Sequence, residues 1–429
     1  MYSIIITTKM LNRYRRSPIW ILFCIVLLDL LGFGIVIPIL PLLFTDLTSP
    51  FSIMGREFSV QNGYIFYGLL LATYPLFQFF AAPVLGQLSD KYGRRKILLI
   101  SLTGTGISYV LFGIGLLTRN IPLLFFSRAI DGITGGNISV AQAIVADISS
   151  AAQKTRYFGL LGAGFGIGLI MGPYLGGKLS DPAVVSWFSM DVPFWFAAFL
   201  SFSNAIAVYF LLPETLKTLH SHTNIRWFQS VTNIVKAYEL KKFHALFLTG
   251  FLYQCSFAFF TAFISVFLYK HFGFKQSSIG EYFAYAGIWI AITQAFITKH
   301  VHSRLKDAEI VGYGLIGCTL FIFLFFFINS TWELYILTAI FAIFNGLVQT
   351  SILSLVSNTA EESSQGKILG INSSVYAIAQ AIPPLVSGFL AASTQSEAPI
   401  VTAGIFSLFS AVLFLALYKG RARQQAARS

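Results

Sequence analysis

Charge is scarce in this chain: of its 429 residues only 11% are Asp, Glu, Lys or Arg, against about a quarter in soluble domains. With 56% hydrophobic residues and a mean hydropathy of +0.73, that scarcity excludes a soluble globular fold and leaves a protein that crosses a membrane many times. Cysteine is scarce as well. Cys24, Cys255 and Cys318 lie inside apolar runs, are odd in number and sit at no metal-ligand or redox spacing, so they read as packing residues and no metal site is expected. Acids number 17 against 29 Lys and Arg, for a net charge of +12. In a soluble chain that excess would suggest nucleic acid, but here the basic residues fall between apolar runs, where orientation across a bilayer explains them. No nucleophile stands with a base, and no nucleotide loop is complete, so no enzyme is expected. Gly172 to Leu179 nearly spells a phosphate-binding loop, yet Leu179 occupies the place of the required Ser or Thr, and no ATP site is expected.

What is present is a series of long apolar runs. About 20 such residues cross a bilayer as a helix, and that window predicts spans near 18–43, 60–85, 97–118, 122–147, 156–179, 190–212, 243–269, 277–299, 309–329, 332–356, 367–391 and 397–418. The first run, Ser17 to Phe44, is too long for a signal-peptide core and lacks a small-residue cleavage site, so it is expected to be a retained span behind Lys9, Arg13, Arg15 and Arg16. If the N-terminus is cytoplasmic, the outer loops hold only Arg56, Arg119, Lys178, Lys270 and Lys275. The positive-inside rule therefore places both termini in the cytoplasm, in an inner or plasma membrane. His300 and His302 fall in a basic inner loop and read as solvated.

The polar interval Pro213 to Lys242 carries Ile225, Phe228, Val231, Val235 and Tyr238 at helical spacing among Arg226, Lys236, Lys241 and Lys242. It predicts an amphipathic helix on the inner membrane surface. It also divides the chain into an N-terminal six-helix bundle (1–212), a cytoplasmic central loop (213–242), and a C-terminal six-helix bundle with a basic tail (243–429). The halves repeat weakly: a shift of 211 residues lays Gln153–Gly159 on Ser364–Gly370, Pro173 on Pro384 and Asp147 on Asn358. The expected fold is all-α, twelve transmembrane helices in two pseudo-symmetric bundles, with a small-molecule site near the bilayer midplane that opens alternately to each side.

Three ionisable residues sit deep in predicted spans: Asp29 in the first, Arg128 and Asp131 in the fourth. Charge at that depth is costly and marks function by default. At 100° per residue, Arg128, Asp131, Gly135, Ser139 and Gln142 fall within about 80° of one another, which predicts one polar stripe facing the cavity. Arg128 and Asp131, three apart, are either a neutralised structural pair or an anion or proton-relay site. Asp29 has no charged neighbour within a turn of its own helix, so it is either a hydrogen-bonded structural carboxyl or the group that takes up a proton or cation. Gln78, Gln142, Gln254, Asn345, Gln349, Asn372 and Gln380 are candidates for the cavity lining or for interhelical hydrogen bonds. The fifth span carries Gly168, Gly172, Gly176 and Gly177 with Pro173, small-x-x-x-small spacing that lets helix backbones approach closely.

Between the second and third spans lies Gly86-Gln87-Leu88-Ser89-Asp90-Lys91-Tyr92-Gly93-Arg94-Arg95-Lys96, with five charges in eleven residues. Its glycines permit a sharp reversal, and Asp90 can pair with Arg94 four residues on. Either it enforces topology as any basic loop can, or it is a gate latch. The segment resembles the corresponding loop of the major facilitator superfamily, G-x-L-x-D-x-x-G-R-R-x, at every fixed position. Leu28-Asp29 through Pro41, Ala82 through Lys96, Ser127-Arg128 through Gly136, and Gly168 through Gly177 extend the resemblance to its drug/proton antiporter branch, nearest to tetracycline/proton antiporters. The resemblance implies a secondary transporter that exports a small amphipathic drug or metabolite as a monomer, with the proton as coupling ion and no cofactor. It implies an inner latch of Gly86, Asp90, Gly93, Arg94 and Arg95 with Asp147 as acidic partner, a proton-transfer role for Arg128, and an antiporter motif at Gly172 and Pro173. Asp29 matches the branch's first-helix acid. Tetracycline exporters carry acids in helices 3 and 9, where this chain has Ser108 and, from Gly314 to Phe327, no acid, which speaks against tetracycline itself. An uptake or facilitative carrier for a metabolite, amino acid or siderophore is the alternative on the same fold.

Overall fold

The structure is a computed structural model that describes residues 2–55, 58–216, 225–361 and 365–419. Arg56, the side chains of Lys9, Arg13, Arg15 and Arg16, and Ser364 of the repeat lie outside what is described, as does the tail 420–429. The described chain is helical throughout: α1 (Tyr2–Ile35), α2 (Leu40–Phe44), α3 (Val60–Tyr92), α4 (Arg94–Leu117), α5 (Ile121–Thr134), α6 (Ile138–Ile148), α7 (Ala151–Leu179), α8 (Val192–Leu211), α9 (Gln229–Glu239), α10 (His244–Phe272), α11 (Gln276–Ile292), α12 (Thr298–His302), α13 (Asp307–Leu324), α14 (Thr331–Thr359), α15 (Gln365–Ser393) and α16 (Ala398–Leu413).

Among the described residues, 10 helical stretches are long and apolar enough to cross a membrane. The other two expected spans are helical but interrupted. In 122–147 the run Gly135-Gly136-Asn137 adopts a 3₁₀ turn between α5 and α6; two adjacent glycines give up helix propensity there, and a Cβ on Gly136 would come within 2.8 Å of the Ala82 backbone of α3. In 277–299 a π segment, Thr293–Ile297, follows α11. The first span also breaks: Pro38 and Pro41 remove amide donors, and α1 ends at Ile35 before α2 resumes at Leu40.

The chain forms two compact units, residues 1–36 with 77–229, and residues 37–76 with 230–429. Packing thus assigns 37–76 to the C-terminal helices, whereas the repeat divides the sequence at the central interval. The first unit is built on α1 against α7 and α4 against α8 and α5, around a core that includes Leu22, Ile25, Leu98, Val140, Ile144 and Val208. In the second unit α10 packs on α15 and α16, and α13 on α14 and α16. There Tyr67 of α3 donates to Ala262 O of α10 at 2.6 Å, and the Asp46 carboxylate accepts from Thr48 and from the Tyr269 hydroxyl. Partial burial pushes the Asp46 carboxyl up, but hydrogen bonds from Thr48, Tyr269 and the Thr48 and Ser49 amides outweigh it and hold the group below the usual carboxylate value.

The amphipathic segment of the central interval is helical as α9. It docks through its small polar side: Ser230 and Ala237 are buried, and Asn233 Nδ2 donates to Ser374 Oγ at 3.0 Å. Val231, Val235 and Tyr238 are left exposed.

Candidate functional site

α1 and α7 lie backbone to backbone. Glycines at every fourth position of α7 face carbonyls at every fourth position of α1: a Cβ on Gly164, Gly168, Gly172 or Gly176 would sit 2.9, 2.4, 2.5 or 2.3 Å from the carbonyl oxygen of Phe23, Leu27, Leu31 or Ile35. Gly34 completes the fit against the Pro173 ring. This ladder fixes the stretch of α1 that carries Asp29.

Asp29 is 3% exposed. Its Oδ1 accepts from Asn137 Nδ2 at 3.3 Å, while Asp29 Oδ2 and Asn137 Oδ1 have no hydrogen-bond partner among the described residues. Asn137 is delivered by the 3₁₀ turn, and no spacing rule in the sequence pointed to it. On α5, which precedes that turn, Arg128 Nη1 donates to Asp131 Oδ2 at 2.7 Å, both side chains almost wholly buried. Asp131 lies within electrostatic reach of Asp29, and Ser108 is its other neighbour. This buried cluster therefore holds two carboxyls and one guanidinium, and the guanidinium pairs with Asp131.

The fourth-span stripe does not run straight. Three residues at about 120° instead of 100° rotate its face by roughly 60°; beyond the turn Ser139 Oγ donates to Ala82 O at 2.7 Å and Gln142 is exposed. Gln78 Nε2 donates to Gly135 O at 2.9 Å, which ties α3 to the turn.

At the reversal between α3 and α4, Gly93 has φ +99°, open to glycine at no steric cost. Arg94 is the hub. Its guanidinium pairs with Asp90 at 2.7 Å and with Asp147 of α6 at 3.0 Å, and donates to Ser89 Oγ at 2.6 Å. Arg95 donates to Tyr209 O and lies 5.3 Å over the Tyr209 ring. Gly86 faces Ser139. The structure adds Glu214, whose carboxylate accepts the backbone N–H groups of Arg94 and Arg95 at 3.0 and 3.1 Å. That caps two of the four unsatisfied donors at the start of α4 and sets a negative charge on the positive end of its dipole. Gln87 Oε1 accepts from Arg226 N at 2.7 Å, so the central interval is fastened to the latch at both Glu214 and Arg226.

In the second unit, Asn345, Asn372 and Gln254 are buried, Gln349 is half-buried and Gln380 exposed. Tyr253 donates to Asn345 Oδ1, as does Gln349 Nε2 at 3.3 Å, and Asn345 Nδ2 and Asn372 Oδ1 have no hydrogen-bond partner among the described residues. The cluster is neutral throughout. Cys255 and Cys318 are buried and Cys24 exposed, all free.

The sequence profile of the Major Facilitator Superfamily matches residues 22–331 and again 246–429. The chain is 30% identical to the class D tetracycline resistance protein of Salmonella ordonez, over 93% of this chain and 97% of that one. It is 31% identical to the class C tetracycline resistance protein of Escherichia coli, over 86% and 89%. Among solved structures, the human organic anion transporter MFSD10 (TETRAN) superposes with a TM-score of 0.68 at 24% identity, over 93% of this chain and 99% of that one, a likeness of fold.

Proposed function

The chain belongs to the major facilitator superfamily, a multi-pass membrane protein and secondary transporter, and on that premise we propose that it is a proton-coupled antiporter. It exports a small amphipathic molecule by alternating access while a proton moves inward on Asp29. The observation that carries this reading is the state of Asp29, buried with one oxygen that has no hydrogen-bond partner among the described residues, while the nearby Arg128 pairs with Asp131. A carboxyl so placed has a vacant acceptor and, among the described residues, no ion-pair partner, and a proton is the ligand that satisfies both. Coupling requires that proton and substrate bind the two access states with different affinity; Asn137, on the 3₁₀ turn, is the group whose position would change that affinity. Two relatives are named for resistance to tetracycline, which supports export of a drug-like molecule. The neutral Ser108 beside Asp131 argues for one other than tetracycline. The proton gradient supplies the energy, without ATP or a bound cofactor, in a monomer whose termini both face the cytoplasm of an inner or plasma membrane.

Inside-out vesicles acidified in the lumen test it, with a pH-sensitive dye read as amphipathic antibiotics and dyes are added. The wild type is expected to release protons on addition of at least one compound, and Asp29→Asn to lose that release while still binding the compound. Proton release that persists in Asp29→Asn would sink the assignment; a compound that crosses without any proton movement would make the protein a facilitative carrier.

A further inference from the structure

His302 closes the five-residue helix α12, after the π segment in which a helix changes register. Its Nδ1 stands 2.8 Å from Thr298 O. A carbonyl only accepts, so Nδ1 carries hydrogen. Its Nε2 lies 3.0 Å from Asp307 Oδ1 at the start of α13 and 3.2 Å from Ser351 Oγ of α14. The second carboxylate oxygen of Asp307 accepts from Ser354 Oγ at 2.6 Å. One imidazole therefore touches three helical segments, and 27% and 18% exposure of the two side chains shelters the pair from solvent.

In neutral His302, with Nδ1 occupied by hydrogen, the lone pair of Nε2 would point at a carboxylate oxygen, and among the described residues the Ser351 hydroxyl is the donor within reach of it. One added proton turns that opposition into a charge-assisted N–H donation to Asp307. Histidine is the side chain that makes this change between about pH 5 and 8. The surrounding charges are Lys299 and His300 on α12, Arg304 and Lys306 on the connecting loop, and Glu309 on α13. Arg304 and Lys306 line the same open cavity of about 570 Å³, and the carboxylate of Glu309 is held by the Lys306 N–H at 3.0 Å. α14 presents no charged side chain between Glu333 and its end at Thr359. Among the described residues, Asp307 is thus the anion in contact with the ring.

We propose that His302 and Asp307 form a second proton-binding site, separate from Asp29, in which protonation of His302 clasps the end of α12 to α13 and α14. The sign is fixed: the clasp is closed at low pH and released as pH rises and the proton leaves Nε2. The site lies within one compact unit and does not depend on the transport reading.

The test is hydrogen–deuterium exchange of the full-length protein in lipid nanodiscs at pH 6 and pH 8, with times normalised for the intrinsic exchange rate. Peptides covering 298–310 and 351–358 are followed. In the wild type these amides are expected to exchange roughly two- to fivefold more slowly at pH 6, the range of a partly exposed ion pair. His302→Gln and Asp307→Asn should both abolish that ratio while a peptide from α5 stays unchanged. A wild type with no pH dependence, or a ratio that survives in His302→Gln, overturns the proposal; Asp307→Asn, nearly isosteric, decides alone if the other variant does not fold.

Discussion

Arg94 is the residue on which the latch turns. Its guanidinium offers a planar fork of donors, and here three acceptors from α3 and α6 share it, at 8% side-chain exposure. Arg94→Ala leaves Asp90 and Asp147 facing each other without a cation. We expect a loss of about 2–3 kcal/mol, below the value for a wholly buried pair because Asp90 is 37% exposed. Arg94→Lys should recover only part, since one ammonium cannot reproduce the fork. Thermal unfolding in detergent gives both; a fully stable Arg94→Lys would show that charge alone holds the contact. Much of this site was legible because Asp90 and Arg94 are one helical turn apart and Ser89 adjoins them. Glu214 was not, since its link to Arg94 spans 120 positions and no local pattern records it.

The helix pair α1–α7 is the element whose sequence spoke most directly. The fourfold glycine spacing predicted close approach, and four glycine–carbonyl contacts at 2.3–2.9 Å are what the structure has. The spacing alone did not say which of the helix's glycines take part. Gly172→Val should force the backbones apart at a cost of about 1–3 kcal/mol, with loss of transport because Asp29 shifts with α1. A Cβ on Gly162 or Gly166 would meet nothing within 4 Å, so Gly166→Ala should stabilise by up to about 1 kcal/mol through helix propensity. Thermal unfolding of the two variants in parallel separates contact glycines from free ones; equal behaviour would refute the ladder. The fourth span misled for a related reason. A regular helix carries its polar stripe straight through Gly135-Gly136, whereas the 3₁₀ turn there breaks the 100° register and brings Asn137 to Asp29.

For the whole molecule, the hydropathy windows and the basic-residue bias make a topology that can be measured. Alkaline phosphatase fused after Asp181 should be active, on the outer side, and inactive when fused after Lys419. The opposite pattern, or activity at both points, would overturn the inward placement of the termini. Family and fold were accessible from the sequence because each rests on local information: a run of 20 apolar residues, or a motif of eleven contiguous positions. The assignment of residues 37–76 to the unit of the C-terminal helices was not, because it depends on how α3 packs and not on what α3 is made of.

By itself the sequence determined that this chain spans a membrane repeatedly, belongs to a transporter family, and carries Asp29, Arg128 and Asp131 where charge is expensive. Only the tertiary structure decided that Arg128 pairs with Asp131, that Asn137 meets Asp29, that Glu214 caps α4 and that His302 meets Asp307 and Ser351. The physical reason is the reach of each interaction. Helical periodicity and hydropathy act over a few residues and are written in order along the chain, whereas a hydrogen bond across 108 positions exists only once packing has fixed both ends.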